Sequence, residues 1–328
     1  MSLFGRLKRI GIDTYMLLLI ATVVLAAVLP ASGRGADIVS EVAYFAVALL
    51  FFVYGAKLNT SAVVAGLTNW RLQLLVLAFT YVAFPVFGLA LVYGLGPWLD
   101  DNLGVGLILL AVLPSTVQSS IAFTSLAQGN VPAAVCAASL SNLVGVFLTP
   151  ALAALLLHAS GGGINTDAIE GIAVQILLPF VLGQIARPLI GGWIAKHRFV
   201  TLLVDRGSIL LIVYSAFSAG MVAGIWSQID GLMLTIVIIA DILLLFAIIL
   251  LSWGAGRLAK LCHEDQMVLL FCGVTKSLAS GLPIAKILFS GQPVGLIIVP
   301  LMLFHQIQLF VCAIIAQRYA NRLVVVPS

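Results

Sequence analysis

Long apolar stretches, each followed by a short polar connection, repeat along the whole chain. A helical membrane crossing needs about 20 apolar residues. The stretches here reach that length as continuous runs. Strands of a membrane barrel would instead alternate apolar and polar positions, so a β-barrel is excluded. Ten crossings are read, near 14–31, 40–57, 70–93, 103–128, 131–157, 168–190, 205–226, 231–256, 265–289 and 294–317. The connections are short, so the expected fold is an all-α polytopic membrane protein with no separate soluble domain.

Composition narrows the classes further. Of 328 residues, 62% are apolar and 9% charged. A soluble domain holds about 45–50% apolar and about 25% charged residues. A soluble enzyme, a disordered protein and a nucleic-acid partner are thereby disfavoured, and the lipid bilayer becomes the first partner. Arg6, Lys8 and Arg9 ahead of the first apolar run resemble the start of a signal peptide. The many later crossings favour an uncleaved first helix. Cys136, Cys262, Cys272 and Cys312 are dispersed and show no metal-ligand spacing.

Charge sorts by side. With the N-terminus in the cytoplasm, inner connections hold Arg6, Lys8, Arg9, Lys57, Arg71, Arg187, Lys196, Arg198, Arg206, Arg257, Lys260, Arg318 and Arg322; outer ones hold Arg34 and Lys286. Asp37, Glu41, Asp100, Asp101, Asp167, Glu170 and Asp230 gather outside. The positive-inside bias therefore predicts an even number of crossings, with both termini cytoplasmic, in a cell (inner or plasma) membrane. Trp70, Trp98, Trp193, Trp226 and Trp253 lie near crossing ends, where interfacial anchors belong. Gly161-Gly162-Gly163 stands at mid-chain with five crossings on either side. An odd number per half forces the second half to insert upside down. One membrane domain is thus expected, built from two inverted five-helix repeats over 1–160 and 164–328, an arrangement common in transporters.

Polar residues inside crossings four and nine carry the candidate chemistry. Crossing four contains Leu113-Pro114-Ser115-Thr116-Val117-Gln118-Ser119-Ser120; crossing nine contains Gly273-Val274-Thr275-Lys276-Ser277-Leu278-Ala279-Ser280-Gly281-Leu282-Pro283. Helix breakers at mid-depth free backbone groups that must find partners in the protein or a wet cavity. A matched pair of interrupted helices in two halves points to a substrate and ion site. Thr116, Gln118, Ser119, Ser120, Thr275, Lys276 and Ser277 are the candidates from these segments. Lys276 lies about 15 Å deep at 1.5 Å per residue, too far in to reach either surface easily. Asp241 is the acidic residue nearest the middle of a crossing, and its depth permits a pair with Lys276. Ser141 and Asn142 in crossing five, and His305, Gln306 and Gln308 in crossing ten, are further mid-depth polar groups. Of these, Ser141, Asn142, His305 and Gln306 join the candidate site; bonding between helices is the alternative for Asn142 and His305. Gln73, Gln175 and Gln184 read as structural.

The stretch LPSTVQSSIAFTSLAQGNVPAAVCAASLSNLVGVFLTP, from Leu113 to Pro150, resembles the bile acid:sodium symporter family. FCGVTKSLASGLPIAKILF, from Phe271 to Phe289, is similar to the SBF-like branch of that family. The resemblance implies ten helices in two inverted repeats, divided into a panel domain of crossings one, two, six and seven and a core domain of the rest. In the core, discontinuous helices four and nine cross. Substrate would bind between panel and core, with alternating access by their relative movement.

The ion sites implied by the resemblance carry over incompletely. The bile-acid branch has Ser-Asn at the break of crossing four, where this chain has Ser119-Ser120. It has Glu and Gln around the break of crossing nine, where this chain has Thr275-Lys276-Ser277. A sodium site near Ser119, Ser120 and Asn142 is the part that remains. A lysine ammonium has the charge of a bound sodium ion and can fill its space, and it can also exchange a proton. Lys276 is therefore expected to replace one sodium, leaving sodium or a proton as the coupling ion and no organic cofactor. The function expected is secondary active transport of a small organic anion. A channel-like or regulatory membrane protein, tied to calcium homeostasis through the family's eukaryotic members, is the rival. An intramembrane enzyme is disfavoured, because Asp241 is the lone mid-membrane carboxylate and a Ser–Lys dyad of Lys276 with Ser277 or Ser280 is the nearest imitation of a catalytic pair.

Overall fold

The computed structural model describes residues 14–57, 69–159, 173–224 and 230–324. Arg6, Lys8, Arg9, the Gly161-Gly162-Gly163 run, Asp167, Glu170 and Trp226 lie outside the described residues. Those described form helices α1 (Thr14–Val28), α2 (Arg34–Lys57), α3 (Trp70–Ala78), α4 (Phe84–Leu95), α5 (Asp101–Val112), α6 (Gln118–Leu126) and α7 (Val131–Ala159). The chain continues through α8 (Leu178–Lys196), α9 (Arg198–Val222), α10 (Gly231–Leu258), α11 (His263–Val274), α12 (Leu278–Leu288), the single turn α13 (Val294–Ile297) and α14 (Val299–Val324). No strand occurs among the described residues.

Eight described segments are long and apolar enough to cross a membrane. Leu17–Val28 and Asp101–Val112 are shorter apolar helices. Crossing four falls short because it is split between α5 and α6. Crossing nine is enclosed by protein: 94% of its most apolar window is buried, against 22–44% for the other seven spans. Elsewhere large apolar side chains face outward, among them Phe45, Leu155, Ile185, Leu189 and Leu250. In water such a surface would drive aggregation; in lipid it is the ordinary exterior of a multi-pass membrane protein.

The helices fall into two compact units. One gathers α1, α2, α8, α9, α12 and α13, together with the end of α7 from Pro150. Its centre is the contact of α2 with α8, where two glycines let the backbones touch. A side chain on Gly55 would strike the Phe180 carbonyl, and one on Gly183 would strike the Phe52 carbonyl. Gln184 Nε2 donates to the Gly55 carbonyl at 2.7 Å, and Gln175 Nε2 donates to the Tyr44 carbonyl at 3.1 Å. On α9, Asp205 Oδ1 accepts from Tyr54 Oη at 2.6 Å, and Ser208 Oγ lies 3.1 Å from the Ala46 carbonyl.

The other unit gathers α3 to α6, α7 up to Thr149, α10, α11 and α14. Asp100 caps α5 by accepting from the amides of Asn102 and Leu103 at 2.9 and 3.4 Å. Pro114 ends it: the residue before a proline avoids the helical region, and Leu113 is extended at φ −71°, ψ 154°. Crossing three is a single rod with a flaw. Between α3 and α4, residues Phe79–Ala83 form one wide π turn, in which the Phe84 amide reaches back five residues to the Phe79 carbonyl. The Thr80 carbonyl would ordinarily have received that amide. Its next candidate donor is residue 85, which is proline. The Thr80 carbonyl is thus left open at mid-helix by the local sequence.

Candidate functional site

The interruption between α11 and α12 covers Thr275, Lys276 and Ser277, and Thr275 is extended at φ −85°, ψ 148°. No proline sits there to force it; the backbone groups are held by tertiary partners instead. The Ser277 amide donates to the Pro114 carbonyl at 2.9 Å, so the breaks of crossings four and nine meet. The Lys276 amide donates to Gln308 Oε1 at 2.7 Å, and Gln308 Nε2 donates back to the Lys276 carbonyl at 2.7 Å. One side-chain amide on α14 thus satisfies both main-chain polar groups of a residue the helix has abandoned. Its second N–H lies 2.9 Å from His305 Nδ1, which makes that ring nitrogen the acceptor and puts the neutral ring's proton on Nε2. Gln308→Leu removes the partners of both main-chain groups of buried Lys276. It should destabilise the protein by about 2–6 kcal/mol, at about 1–3 kcal/mol for each of the two orphaned groups, read as a drop in Tm in detergent.

The Lys276 side chain is fully buried, and its ammonium has three N–H groups facing three carbonyls: Thr80 at 2.7 Å, Ala111 at 2.9 Å and Leu113 at 2.8 Å. Each carbonyl is open for a reason already visible in the chain. Thr80 lost its donor to the π turn and Pro85. Ala111 and Leu113 lie at the C-terminal end of α5, where carbonyls lack helical donors and a positive charge is favoured. The remaining carbonyl there, Val112, accepts from Thr149 Oγ1 at 2.8 Å. The Phe84 ring centroid is 4.1 Å from Nζ and adds a cation–π contact. Depth had allowed a pair of Lys276 with Asp241. Instead the ammonium is spent on carbonyls, and neither Asp241 oxygen has a hydrogen-bond partner.

Beside the lysine lies a chain of hydroxyls whose direction can be worked out. Thr275 Oγ1 donates to the Phe271 carbonyl at 2.8 Å, so it accepts from Thr116 Oγ1 at 3.1 Å and Ser115 Oγ at 3.2 Å. Thr116 then accepts from Ser119 Oγ at 2.6 Å. Ser120 Oγ turns back to the Thr116 carbonyl of its own segment. Ser141 Oγ accepts from the Ser115 amide at 3.0 Å, and Asn142 Nδ2 donates to the Ser115 carbonyl at 2.8 Å. Tyr81 Oη donates to the Ser141 carbonyl at 2.6 Å.

Of the residues singled out from sequence, Thr116, Ser119, Ser120, Ser141, Asn142, Thr275, Lys276, Ser277 and His305 belong to this one bonded cluster. Gln118 is exposed, Gln306 is half-buried, and neither side chain bonds to a described residue. Asp241 stands apart. Sequence reasoning passed over Thr80 and Tyr81 and left Gln308 out of the site. A proline five residues after a residue whose carbonyl must be satisfied was the available signal for Thr80. Gln308 stands three positions from His305, which puts the two on one helix face; that was its signal.

The sequence matches the SBF-like CPA transporter family over residues 13–321. The chain belongs to that family. This SBF-like chain is 51% identical over 311 residues to the protein named "Uncharacterized protein PA2026" of Pseudomonas aeruginosa, covering 94% of this chain and 93% of that one. It is 44% identical over 312 residues to the protein named "Putative symporter YfeH" of Escherichia coli, covering 95% and 94%. To sodium/bile acid cotransporter 7 of Mus musculus it is 28% identical over 282 residues, covering 84% and 82%. It is thus a multi-pass membrane protein of a transporter family, and this SBF-like chain holds a buried positive side chain where the breaks of crossings four and nine meet.

Proposed function

We propose that this SBF-like protein is a secondary active transporter of a small organic anion that works by alternating access. The observation that carries this reading is the Lys276 cradle: three main-chain carbonyls at 2.7–2.9 Å around one ammonium, at the meeting of two helix breaks. A ring of backbone oxygens is what a protein offers a dehydrated monovalent cation. The ammonium takes the place of one sodium ion and is tethered to the chain. Sodium or a proton is the coupling ion that remains. The breaks also begin α6 and α12, and helix N-termini favour an anionic group such as a carboxylate or sulfonate. In this reading the chain has ten crossings in two inverted five-helix repeats, 1–160 and 164–328. Crossings one, two, six and seven form a panel and the others a core, and both termini lie in the cytoplasm of a cell bounded by this membrane. The gathering of α1, α2, α8 and α9 into one unit supports the panel, while the same unit also takes in α12, α13 and the end of α7, which this reading gives to the core.

Purified protein screened by thermal shift against organic anions, with sodium and pH varied, tests the reading. A substrate that binds the folded state stabilises it by mass action, by about 2.7 kcal/mol at a hundred times its Kd, and so raises Tm. Hits should then show saturable uptake and counterflow in proteoliposomes. Flux without saturation or counterflow would make the protein a channel. No flux in the presence of a bound anion would make it a regulator.

A further inference from the structure

We propose that Asp241 is a proton-binding site inside the membrane, neutral in this conformation, which exchanges its proton with water when the conformation changes. Asp241 is the eleventh residue of the 28-residue α10, about 15 Å from that helix's nearer end. Its side chain is fully buried. It lies on the stripe of α10 that also buries Val237, Ala240, Leu244, Leu245 and Ile248, so its own helix offers it no polar company. Both carboxyl oxygens lack a hydrogen-bond partner. No hydrogen bond or ion pair joins it to any described residue. The one buried cation among the described side chains of the same unit, Lys276, already spends its three N–H groups on carbonyls.

An ionised carboxylate in those surroundings would cost more than the whole stability of a domain. Two remedies exist: a metal ion or a proton. A hard cation needs several oxygen ligands, and the side chains buried beside Asp241 along α10 (Val237, Ala240, Leu244, Leu245 and Ile248) are apolar and supply none. A proton needs a single oxygen. Either carboxyl oxygen takes it, the carboxylate becomes a carboxylic acid, and the charge disappears with no further ligand. An acid with no partner contributes less to packing than an apolar side chain of its size. Its chemistry is therefore available for reversible proton uptake. As the coupling step of a transport cycle, this inference rests on the carrier reading above; as a proton site, it stands on the geometry alone.

The test needs no solute. Wild-type protein in proteoliposomes should show the infrared C=O stretch of a protonated carboxylic acid at neutral pH, and Asp241→Asn should lose that band. On a solid-supported membrane, with the proton as the sole probe, a pH jump should produce a transient charge displacement in the wild type. Asp241→Asn and Asp241→Leu should abolish it. A wild type without the band, or a displacement unchanged in both variants, overturns the proposal. So does loss of folding in both variants, because a partnerless neutral acid is replaceable by an apolar residue of similar size. Solute counterflow without the infrared band sinks the proton site alone. The band and the displacement without solute binding or counterflow sink the carrier reading and uphold the proton site.

Discussion

Lys276→Met should lower stability by about 3–5 kcal/mol, the usual consequence of removing one partner from a buried ionic arrangement. The ammonium is the shared donor for three carbonyls, on Thr80, Ala111 and Leu113, at 2.7, 2.9 and 2.8 Å. Methionine fills most of the volume and donates nothing. Each abandoned carbonyl costs about 1–3 kcal/mol if it stays dry, offset in part by no longer burying a charge. For a chain of this size the fall in Tm should be roughly 4–7 °C. Arginine should fail to rescue, because its flat five-donor fork does not fit a threefold cradle built for a compact ammonium. Lys276→Ala carries the sharper test. If the ammonium stands in for a bound ion, vacating the cradle should create sodium-dependent stabilisation that the wild type lacks, about 2.7 kcal/mol at a hundred times the site's Kd. A Lys276→Ala protein whose Tm ignores sodium would remove the idea of a tethered cation. A Lys276→Met protein as stable as the wild type would show that the three carbonyls find other donors.

The second large effect belongs to the contact of α2 with α8. Gly55→Leu, or Gly183→Leu, should leave little folded protein after extraction. A Cβ at Gly55 would run into the Phe180 carbonyl, and one at Gly183 into the Phe52 carbonyl. The obstacle is backbone in both cases, so no side chain can rotate aside. Overpacking a core costs about 1–3 kcal/mol where neighbours can shift. Here the helices must separate, giving up their mutual burial and the 2.7 Å bond from Gln184 to the Gly55 carbonyl as well. The expected loss is therefore at the top of that range or above it for alanine, and larger for leucine. Gly192 supplies the control. It lies on the same helix α8, and a Cβ there meets nothing within 4 Å. Gly192→Ala should raise stability by about 0.4–1 kcal/mol through the unfolded chain. Size-exclusion profiles and Tm of the three variants separate a steric cause from a general intolerance of α8 to substitution.

Much of the architecture was legible along the chain because hydrophobic length is a local property. A continuous apolar run must be a helix in lipid, where every backbone group needs an internal partner. Pro114 ended α5 as its chemistry requires. Lys276 declared itself by depth alone, since a charge that far from both helix ends must meet something polar. The hydroxyls of Ser115, Thr116, Ser119 and Thr275 were likewise readable as polar groups at the breaks of crossings four and nine.

What each polar group would meet was not legible. Depth made Asp241 a candidate partner for Lys276, and the lysine went elsewhere. Its three acceptors come from residues 80, 111 and 113, one on a π turn of crossing three and two at the end of α5. They became available because a missing proline N–H, a shifted amide and a helix end left carbonyls open at one place in space. Gln308, rather than Gln306, closed the gap in crossing nine because one residue step turns a helix by about 100° and two by about 200°, so only one of the two glutamines can face the break. Hydrophobic length and the presence of a buried charge are one-dimensional facts, and the amino-acid sequence by itself determined them. The choice of partner depends on which hydrogen-bonding groups remain unsatisfied after the helices have packed, and the tertiary structure alone decided it.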